Sequence, residues 1–438
     1  MKYTKLFLLV VLFLASCAAP ATSAPVPTQT FTPEPTATQT PIPTPTMTPA
    51  PTQVGGGSGR LIFTYRKEEF IKAFPDLKGE INVFVANIDG TKLTPITNGL
   101  KGYNYFESVS PDGTKVLIAS RSKLQPDAIL YLVNLNSLDS EPIKLTDGLP
   151  QYYGGNSTAK WIDDSQIVYI GQGEAGFGIY KINVDGTNPI NIYKYNNDGE
   201  GNKPFQILAI DSTHIYWDTQ ITTRLNSNSV NDKYYVWWSS LEGSERSPLE
   251  LNGKQIFFET VLGSGLIFSP DGTKVAWIEG ATPESGPPYH NYLHIASISD
   301  INNPYTLETL TSEIFLNWWP DGSKILVFDI GAVWGTRGTT EDPTNDLYGI
   351  YEVSVAPDLP IKNYHLATVV MGLRNSYFMD LYNISPDGRL MVCATYEKNA
   401  SGSFDSKLKF LNLETITFAD ANGFTFSNTA NGGVHWIP

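Results

Sequence analysis

The chain has 438 residues, with 30 Pro, 37 Gly, 2 Cys and a formal net charge of −14. Two cysteines exclude a disulfide-built scaffold, and the acidity disfavours nucleic acid as a partner and a polybasic grip on anionic lipid. Ten of the prolines fall between Pro20 and Pro51, where Glu34 is the lone charged residue, so this stretch has no means of burying an apolar core.

In chain order, the first element is a targeting segment. Lys2 and Lys5 precede nine apolar residues, Leu6 to Leu14, a run too short to span a bilayer but suited to a signal-peptide core. It ends in Leu14-Ala15-Ser16-Cys17. This resembles the lipobox of bacterial lipoproteins, in which small residues precede a cysteine that is diacylated and becomes the new N-terminus. The alternative is an ordinary signal peptide cut elsewhere, with Cys17 incidental. The resemblance implies a signal peptide at 1–16, lipid attachment at Cys17 and an extracytoplasmic chain anchored to the cell membrane, several acyl chains meeting the two-signal requirement for stable anchoring. If the cell has two membranes the choice between them stays open, the outer one being compatible because Ala18 lacks the acidic residue that often marks inner-membrane retention. Residues 17–58 then form the lipidated Cys and a Pro/Thr-rich disordered tether that closes on Gly55-Gly56-Gly57. Extended polyproline chain rises about 3.1 Å per residue, so the tether reaches on the order of 100 Å.

Residues 59–438 are organised by a repeat. Ser110-Pro111-Asp112-Gly113-Thr114-Lys115 recurs as Ser269-Pro270-Asp271-Gly272-Thr273-Lys274, as Trp319-Pro320-Asp321-Gly322-Ser323-Lys324 and as Ser385-Pro386-Asp387-Gly388-Arg389-Leu390. Degraded copies lie at Trp161-Ile162-Asp163-Asp164-Ser165 and Ile210-Asp211-Ser212-Thr213-His214. Pro-Asp-Gly pre-sets a tight turn, and the β-branched and aromatic residues after it read as a strand. Further strands follow each copy, as at Val83–Ile88 before Asp89-Gly90 and at Ile179–Val184 before Asp185-Gly186. The unit is strand, tight turn, strand, long loop, strand, short turn, strand, near one four-stranded propeller blade.

This resembles the WD40-like propeller repeats of the TolB family and of prolyl-oligopeptidase-type peptidases. The resemblance implies an all-β single β-propeller, most simply of seven four-stranded blades, with six or eight left open. It is specific for fold and nearly silent on function, because the motif residues build turns. The peptidases carry a separate hydrolase domain. The chain stops at Pro438 without one, so their activity is not expected. TolB-like proteins carry an N-terminal α/β domain, and here the tether takes its place. The ends suggest how the ring closes: His435-Trp436-Ile437-Pro438 matches what precedes a Pro-Asp-Gly turn, and Gly59-Arg60-Leu61-Ile62-Phe63 reads as its continuation. The C-terminal strand is therefore expected to complete the N-terminal blade, leaving no open edge.

In such a blade the turns after the first and third strands share one side, and the loops after the second and fourth share the other. The second group is long and chemically rich: 66–80, 99–107, 148–158, 279–291, 330–347 and 371–379. These carry Tyr103, Tyr105, Phe106, Tyr152, Tyr153, His290, Trp334, Arg337, Arg374 and Tyr377, the candidate binding face. Part of these aromatics is expected simply to pack the loops.

No nucleophile elbow, His-Glu-x-x-His, Walker A or Rossmann glycine pattern is present. His290 and His294 qualify as metal ligands only if both lie in one strand, and scattered structural histidines are favoured; no metal and no cofactor is expected. The polar run 196–202 fails the EF-hand spacing. Cys393, in Leu390-Met391-Val392-Cys393-Ala394, reads as a buried small hydrophobe. Two functional readings stand: a monomeric, non-catalytic binding or scaffold module for a protein or glycan, and a carbohydrate-active enzyme, polysaccharide lyase or glycosidase, using the loop-rich face.

Overall fold

Each Ser-Pro-Asp-Gly copy closes on itself through its own side chains. In the computed structural model, Ser110 Oγ donates to Asp112 Oδ1 (2.5 Å), which also accepts the Thr114 N–H (2.9 Å), while the Gly113 N–H donates to Ser110 O (2.9 Å). Ser269 with Asp271 and Ser385 with Asp387 repeat the arrangement at 2.5 and 2.6 Å. The carboxylate satisfies donors that a turn leaves without ladder partners, which is why Asp and a hydroxyl recur together.

The structure describes residues 59–66, 79–122, 127–146, 158–196, 203–226, 229–259, 266–281, 290–309, 314–329, 350–356, 362–363, 376–398, 404–415, 417–421 and 429–438. Among these the fold is all-β, with one short 3-10 turn, Ile298–Asp300, and several mostly antiparallel sheets.

The strands fall into consecutive antiparallel sets, of which the first two are joined into one eight-stranded sheet by a parallel pairing of Gly79–Asn87 with Gly102–Val109 (Gly79 opposite Gly102, Ile81 opposite Tyr103), and Glu250–Leu251 with Lys254–Gln255 form a separate two-stranded sheet. Set 1 is Thr429–Ile437, Arg60–Arg66, Gly79–Asn87 and Thr94–Pro95. Set 2 is Gly102–Val109, Lys115–Arg121, Ala128–Asn134 and Ile143–Lys144, and set 3 is Ala159–Trp161, Gln166–Gly173, Gly176–Asn183 and Ile190–Lys194. Set 4 is Pro204–Ile210, His214–Asn226, Ser229–Ser240 and Arg246–Pro248, with Phe257–Glu259 added on Ser229–Ser240. Set 5 is Ile267–Phe268, Lys274–Ala281, His290–Ser297 and Tyr305–Thr309. Set 6 is Ile314–Trp318, Lys324–Asp329, Ile350–Ser354 and Lys362–Asn363, and set 7 is Ser376–Ile384, Leu390–Lys398, Phe404–Asn412 and Thr417–Asp420. The expected pairing of the chain ends is present: Leu61 faces Trp436, Ile62 faces His435 and Phe63 faces Val434.

Strand alternation sends neighbouring residues into different layers. Leu61 and Phe63 pack with Val392, Leu408, Phe410 and Trp436, joining set 7 to set 1. Ile62, between them, packs with Phe106, Val116 and Ile118 of set 2. Tyr105 and Leu117 meet Ala159, Ile167 and Tyr169 of set 3. Val168 and Ile170 meet Ile207, Ile215 and Trp217 of set 4. Val236 and Leu249 meet Val275 and Ala296 of set 5, and Ala276, Leu293 and Ile295 meet Ile325, Val327 and Val353 of set 6. The first strands of sets 6 and 7, Ile314–Trp318 and Ser376–Ile384, are also in contact. Each fully buried aliphatic or aromatic side chain in these layers contributes about 1.5–3 kcal/mol.

Buried polar groups fasten sets 1 and 2. Asn104 Nδ2 donates to Ile81 O (3.0 Å), and Asn104 Oδ1 accepts from Ser120 Oγ (2.6 Å). Asn82 Oδ1 accepts from Thr97 Oγ1 (3.2 Å). All four side chains are buried and partnered, so they orient the two sets instead of weakening the core.

The turn ends of neighbouring sets interlock. Gly113 has φ +68°, and a methyl group there would lie 2.8 Å from Pro438 O of set 1. At Gly272 (φ +70°) the obstacle is Ile210 O, at 2.5 Å. Both positions therefore demand glycine twice, for conformation and for space.

Several expected loops are shorter than the sequence suggested. Tyr103, Tyr105 and Phe106 lie in the strand Gly102–Val109, because it pairs along Lys115–Arg121. Arg66, Gly79, Glu80, Glu279 and Tyr377 are also strand residues. His290 opens the strand His290–Ser297 and pairs with Ala281. The sequence reading missed the longest hairpin, His214–Asn226 with Ser229–Ser240, which runs well past the first strand of its set.

Candidate functional site

The first and third strands of each set begin, and the second and fourth end, at the loop end. Here cations rest on aromatic rings. In set 2 the Arg121 guanidinium lies 5.4 Å from the Tyr103 ring centroid and 5.8 Å from that of Tyr105. Lys203, just before set 4, lies 5.0 Å from the Phe177 ring, which meets Tyr195 edge-on at 6.2 Å. On the long hairpin Lys233 lies 4.3 Å from Phe257, and Tyr235 packs against the same ring at 5.5 Å. Phe257 is 45% exposed. In set 5 His294 stacks on Trp277 at 4.9 Å. The first three assemblies each join a positive group to a rigid apolar surface. Cations also rest on rings at the turn end: Lys324 on Trp319 (5.0 Å), and Arg246 on Tyr193 (4.7 Å) and Trp237 (5.1 Å).

His294 Nε2 is 3.1 Å from Glu279 Oε2, and Nδ1 lies 2.8 Å from Thr306 Oγ1. Burial pushes the imidazole below its ordinary range, while the Glu279 carboxylate pulls it back part of the way. His290 and His294 share a strand; His294 Nδ1 meets Thr306 Oγ1, while Nε2 lies near the Glu279 carboxylate without a well-aligned hydrogen bond. Among the described residues no three His, Cys, Asp or Glu are grouped to hold a metal ion.

A second constellation lies where the first strands of sets 2 and 3 meet. The register of Gly102–Val109 slips between Phe106, opposite Ile118, and Ser108, opposite Leu117. Glu107 is thus the extra residue of a bulge, a device that re-aims a side chain. Its Oε2 accepts the backbone N–H groups of Thr158 (3.1 Å) and Ala159 (3.3 Å). The next residue, Lys160, faces Val168 and so the apolar layer toward set 4. Burial lowers the pKa of this ammonium, and the Glu107 carboxylate opposes that shift.

In set 4 Asp218 is fully enclosed. Its Oδ1 accepts the Gln206 N–H (3.1 Å) and its Oδ2 the Gln206 Nε2–H (2.7 Å). Desolvation outweighs these hydrogen bonds and raises its pKa to about 8.

The candidates chosen from sequence divide accordingly. Tyr103 is part-exposed and holds Arg121, whereas Tyr105 and Phe106 are only 6% and 7% exposed. Both belong to core layers, so they correct the loop assignment: inward alternation buries them. Tyr377 and His290 are placed in strands. Cys17, Tyr152, Tyr153, Trp334, Arg337, Arg374 and 197–202 lie outside the described residues. Arg121, Glu107, Lys160 and Asp218 escaped the sequence reading. Arg121 was findable as the cation closing an apolar strand; the other three depend on enclosure, which no local pattern reports.

No protein-family model and no curated protein matches the chain. Among solved structures it is similar to an oligogalacturonate lyase from Vibrio parahaemolyticus, with 15% identity, TM-score 0.46, and coverage of 82% of this chain and 84% of that one. It is similar to TolB from Acinetobacter baumannii, with 15% identity, TM-score 0.35, and coverage of 68% and 62%. A puromycin-hydrolysing peptidase from Mycobacterium tuberculosis shares 12% identity at TM-score 0.43, over 72% of this chain and 45% of the peptidase, less than half its length.

Proposed function

We propose that the chain is a lipid-anchored extracytoplasmic β-propeller of seven blades, sets 1 to 7, that works as a non-catalytic binding or scaffold module for a protein or glycan. Two facts support the propeller. Sets 1 to 6 pack face to face in order and set 7 packs against set 1, and the first strands, those of sets 6 and 7 included, touch their neighbours in cyclic order from Gly102–Val109 round to Thr429–Ile437. The lipid anchor and tether rest on the sequence at 1–58.

The observation that carries the binding reading is the set of cations on aromatic rings at the loop ends, above all Arg121 on Tyr103. An aromatic face with a fixed cation beside it supplies apolar area and charge at low entropic cost, which suits sugar rings and protein side chains alike. To test it, full-length wild-type chain in detergent is applied to a polysaccharide panel and to native envelope extract. Wild type retains a ligand, and Arg121→Ala with Tyr103→Ala loses most of that retention. Equal retention by the double variant refutes the loop-end site.

The carbohydrate-active enzyme is the second reading. Asp218 favours it, being a carboxyl group held protonated near neutral pH, as a general acid must be. Its side chain is sealed from solvent, which is why binding is the preferred reading. Turnover on the polysaccharide panel, abolished by Asp218→Asn, would reverse that order.

A further inference from the structure

The long hairpin of set 4 carries its second strand, His214–Asn226, past the first strand of the set. Pairing with Pro204–Ile210 ends at Thr219, opposite Pro204, whereas pairing with Ser229–Ser240 runs without interruption from His214 to Arg224. Two backbone bonds fix which residues face which neighbour. The Asp211 N–H donates to His214 O (3.0 Å), so His214 turns its carbonyl toward the first strand. The Leu241 N–H donates to Thr213 O (2.9 Å), so Thr213 turns its carbonyl toward the third. Alternation carries this along the strand: even-numbered residues point N–H and C=O to the first-strand side, odd-numbered ones to Ser229–Ser240. Beyond Thr219, therefore, Gln220, Thr222 and Arg224 offer their N–H and C=O groups to an edge that has no strand partner among the described residues. The regular edge stops at Arg224, where the register shifts.

This edge has none of the usual protections. Gln220-Ile221-Thr222-Thr223-Arg224 contains no Pro, Gly or Lys, its central residues are β-branched, and Ile221 is 40% exposed. An edge of this kind is completed by another extended backbone. The segment is also complementary to itself. Laid antiparallel on a second copy with the two-fold axis at Thr222, it places Thr222 opposite Thr222, Ile221 opposite Thr223 and Gln220 opposite Arg224. No like charges meet, every outward N–H and C=O of the segment is paired, and the two Ile221 residues become diagonal neighbours on one face, each covering apolar surface of the other.

We propose that the edge Gln220–Arg224 joins two copies of this chain into a two-fold dimer, by antiparallel pairing that continues the set 4 sheet from one copy into the other. The contact is isologous, so it closes at two copies. It is also small, so the dimer dissociates on dilution through a range of about 1–100 μM. It replaces the monomer expected from sequence. It stands apart from the Arg121 cluster, and either can fail without the other.

The test is sedimentation velocity of the full-length chain in detergent over that range, with the detergent contribution subtracted. Wild type should pass from the mass of one chain to that of two as concentration rises. Thr222→Pro removes an outward N–H and leaves the ladder to Ser229–Ser240 intact, so it should stay single throughout and melt as wild type does. Gln220→Lys, set against Arg224 of the other copy, should weaken the dimer several-fold, and Gln220→Glu should tighten it several-fold. Thr222→Cys should give a disulfide-linked dimer under mild oxidation where wild type gives none, since a hydrogen-bonded pair holds its Cα atoms about 5.5 Å apart, within disulfide reach. The proposal is overturned if wild type stays single at the highest concentration, if Thr222→Pro dimerises as wild type does, if Thr222→Cys does not cross-link, or if the two Gln220 variants shift the dimer alike. Should Thr222→Pro melt below wild type, the cross-link and the Gln220 pair decide the matter without it.

Discussion

The two ends of the strands differ in what their charged side chains meet. At the turn ends, carboxylates accept hydrogen bonds from the turns that contain them. Asp112 is held well below the usual carboxylate range chiefly by the Ser110 hydroxyl, Asp163 by that of Ser165, Asp185 by that of Thr187 and Asp321 by that of Ser323. The turns are short, self-satisfied and fastened to their neighbours, as where the Asp112 N–H donates to Asp164 Oδ1 (2.9 Å). At the loop ends, Arg121, Lys203 and Lys233 lie on aromatic faces, and several donors have no partner among the described residues. Among the described residues the turn end satisfies its own polar groups more fully than the loop end, and the proposed binding role is assigned to the latter.

Variants of the turn end should break the fold, starting with the closure. Deleting Thr429–Pro438 strips set 1 of Val434, Trp436 and Ile437, all buried, and opens the edge of Arg60–Arg66. At about 1.5–3 kcal/mol per side chain, with a strand of ladder bonds in addition, the loss rivals a typical net stability of about 5–15 kcal/mol. Circular dichroism should show no cooperative unfolding transition. Gly113→Ala places a methyl against Pro438 O in a left-handed conformation and should cost about 2–4 kcal/mol in urea unfolding.

Asp218 sharpens the comparison through pH, because its dependence is opposite to that of the turn carboxylates. Its folded pKa, about 8, lies above the ordinary carboxyl value. The folded state therefore binds the extra proton, and this contribution to stability is complete below about pH 4 and lost as pH rises toward 8. Asp218→Asn should remove that loss, gaining on wild type by a few kcal/mol between pH 4 and 9, at about 1.4 kcal/mol per pKa unit. Parallel stability curves for the two proteins would contradict this. For Asp112, whose pKa is depressed, stability is present above about pH 4 and lost as pH falls further. Asp112→Ala should cost about 1–2 kcal/mol at pH 7 by removing its hydrogen bonds to Ser110 and Thr114, and less in strong acid. The smallest stability effect belongs to the loop end: Arg121→Ala should change unfolding by less than about 1 kcal/mol.

This contrast also marks what the sequence could convey. Pro-Asp-Gly turns are local chemistry, so Asp112, Asp271, Asp321 and Asp387 announced the strands on either side, and the unmatched ends at Leu61 and Trp436 announced their pairing. The loop end was legible mainly as composition. Tyr105 and Phe106 follow Lys101-Gly102 and read as loop, yet pairing with Lys115–Arg121 draws them inward. The bulge at Glu107 depends on a one-residue slip in register, and the enclosure of Asp218 depends on the strands around it. Long-range packing creates both, and neither leaves a local signature.

The division between the two ends is tested most directly by measuring unfolding free energy and ligand retention together for full-length Asp112→Ala and Arg121→Ala. Retention is scored on whatever the wild-type chain holds from the polysaccharide panel and the envelope extract. Asp112→Ala should lose stability and keep retention, while Arg121→Ala should keep stability and lose retention. If Arg121→Ala is destabilised as much as Asp112→Ala and retains ligand as wild type does, the loop end is structural and the proposed binding face is wrong.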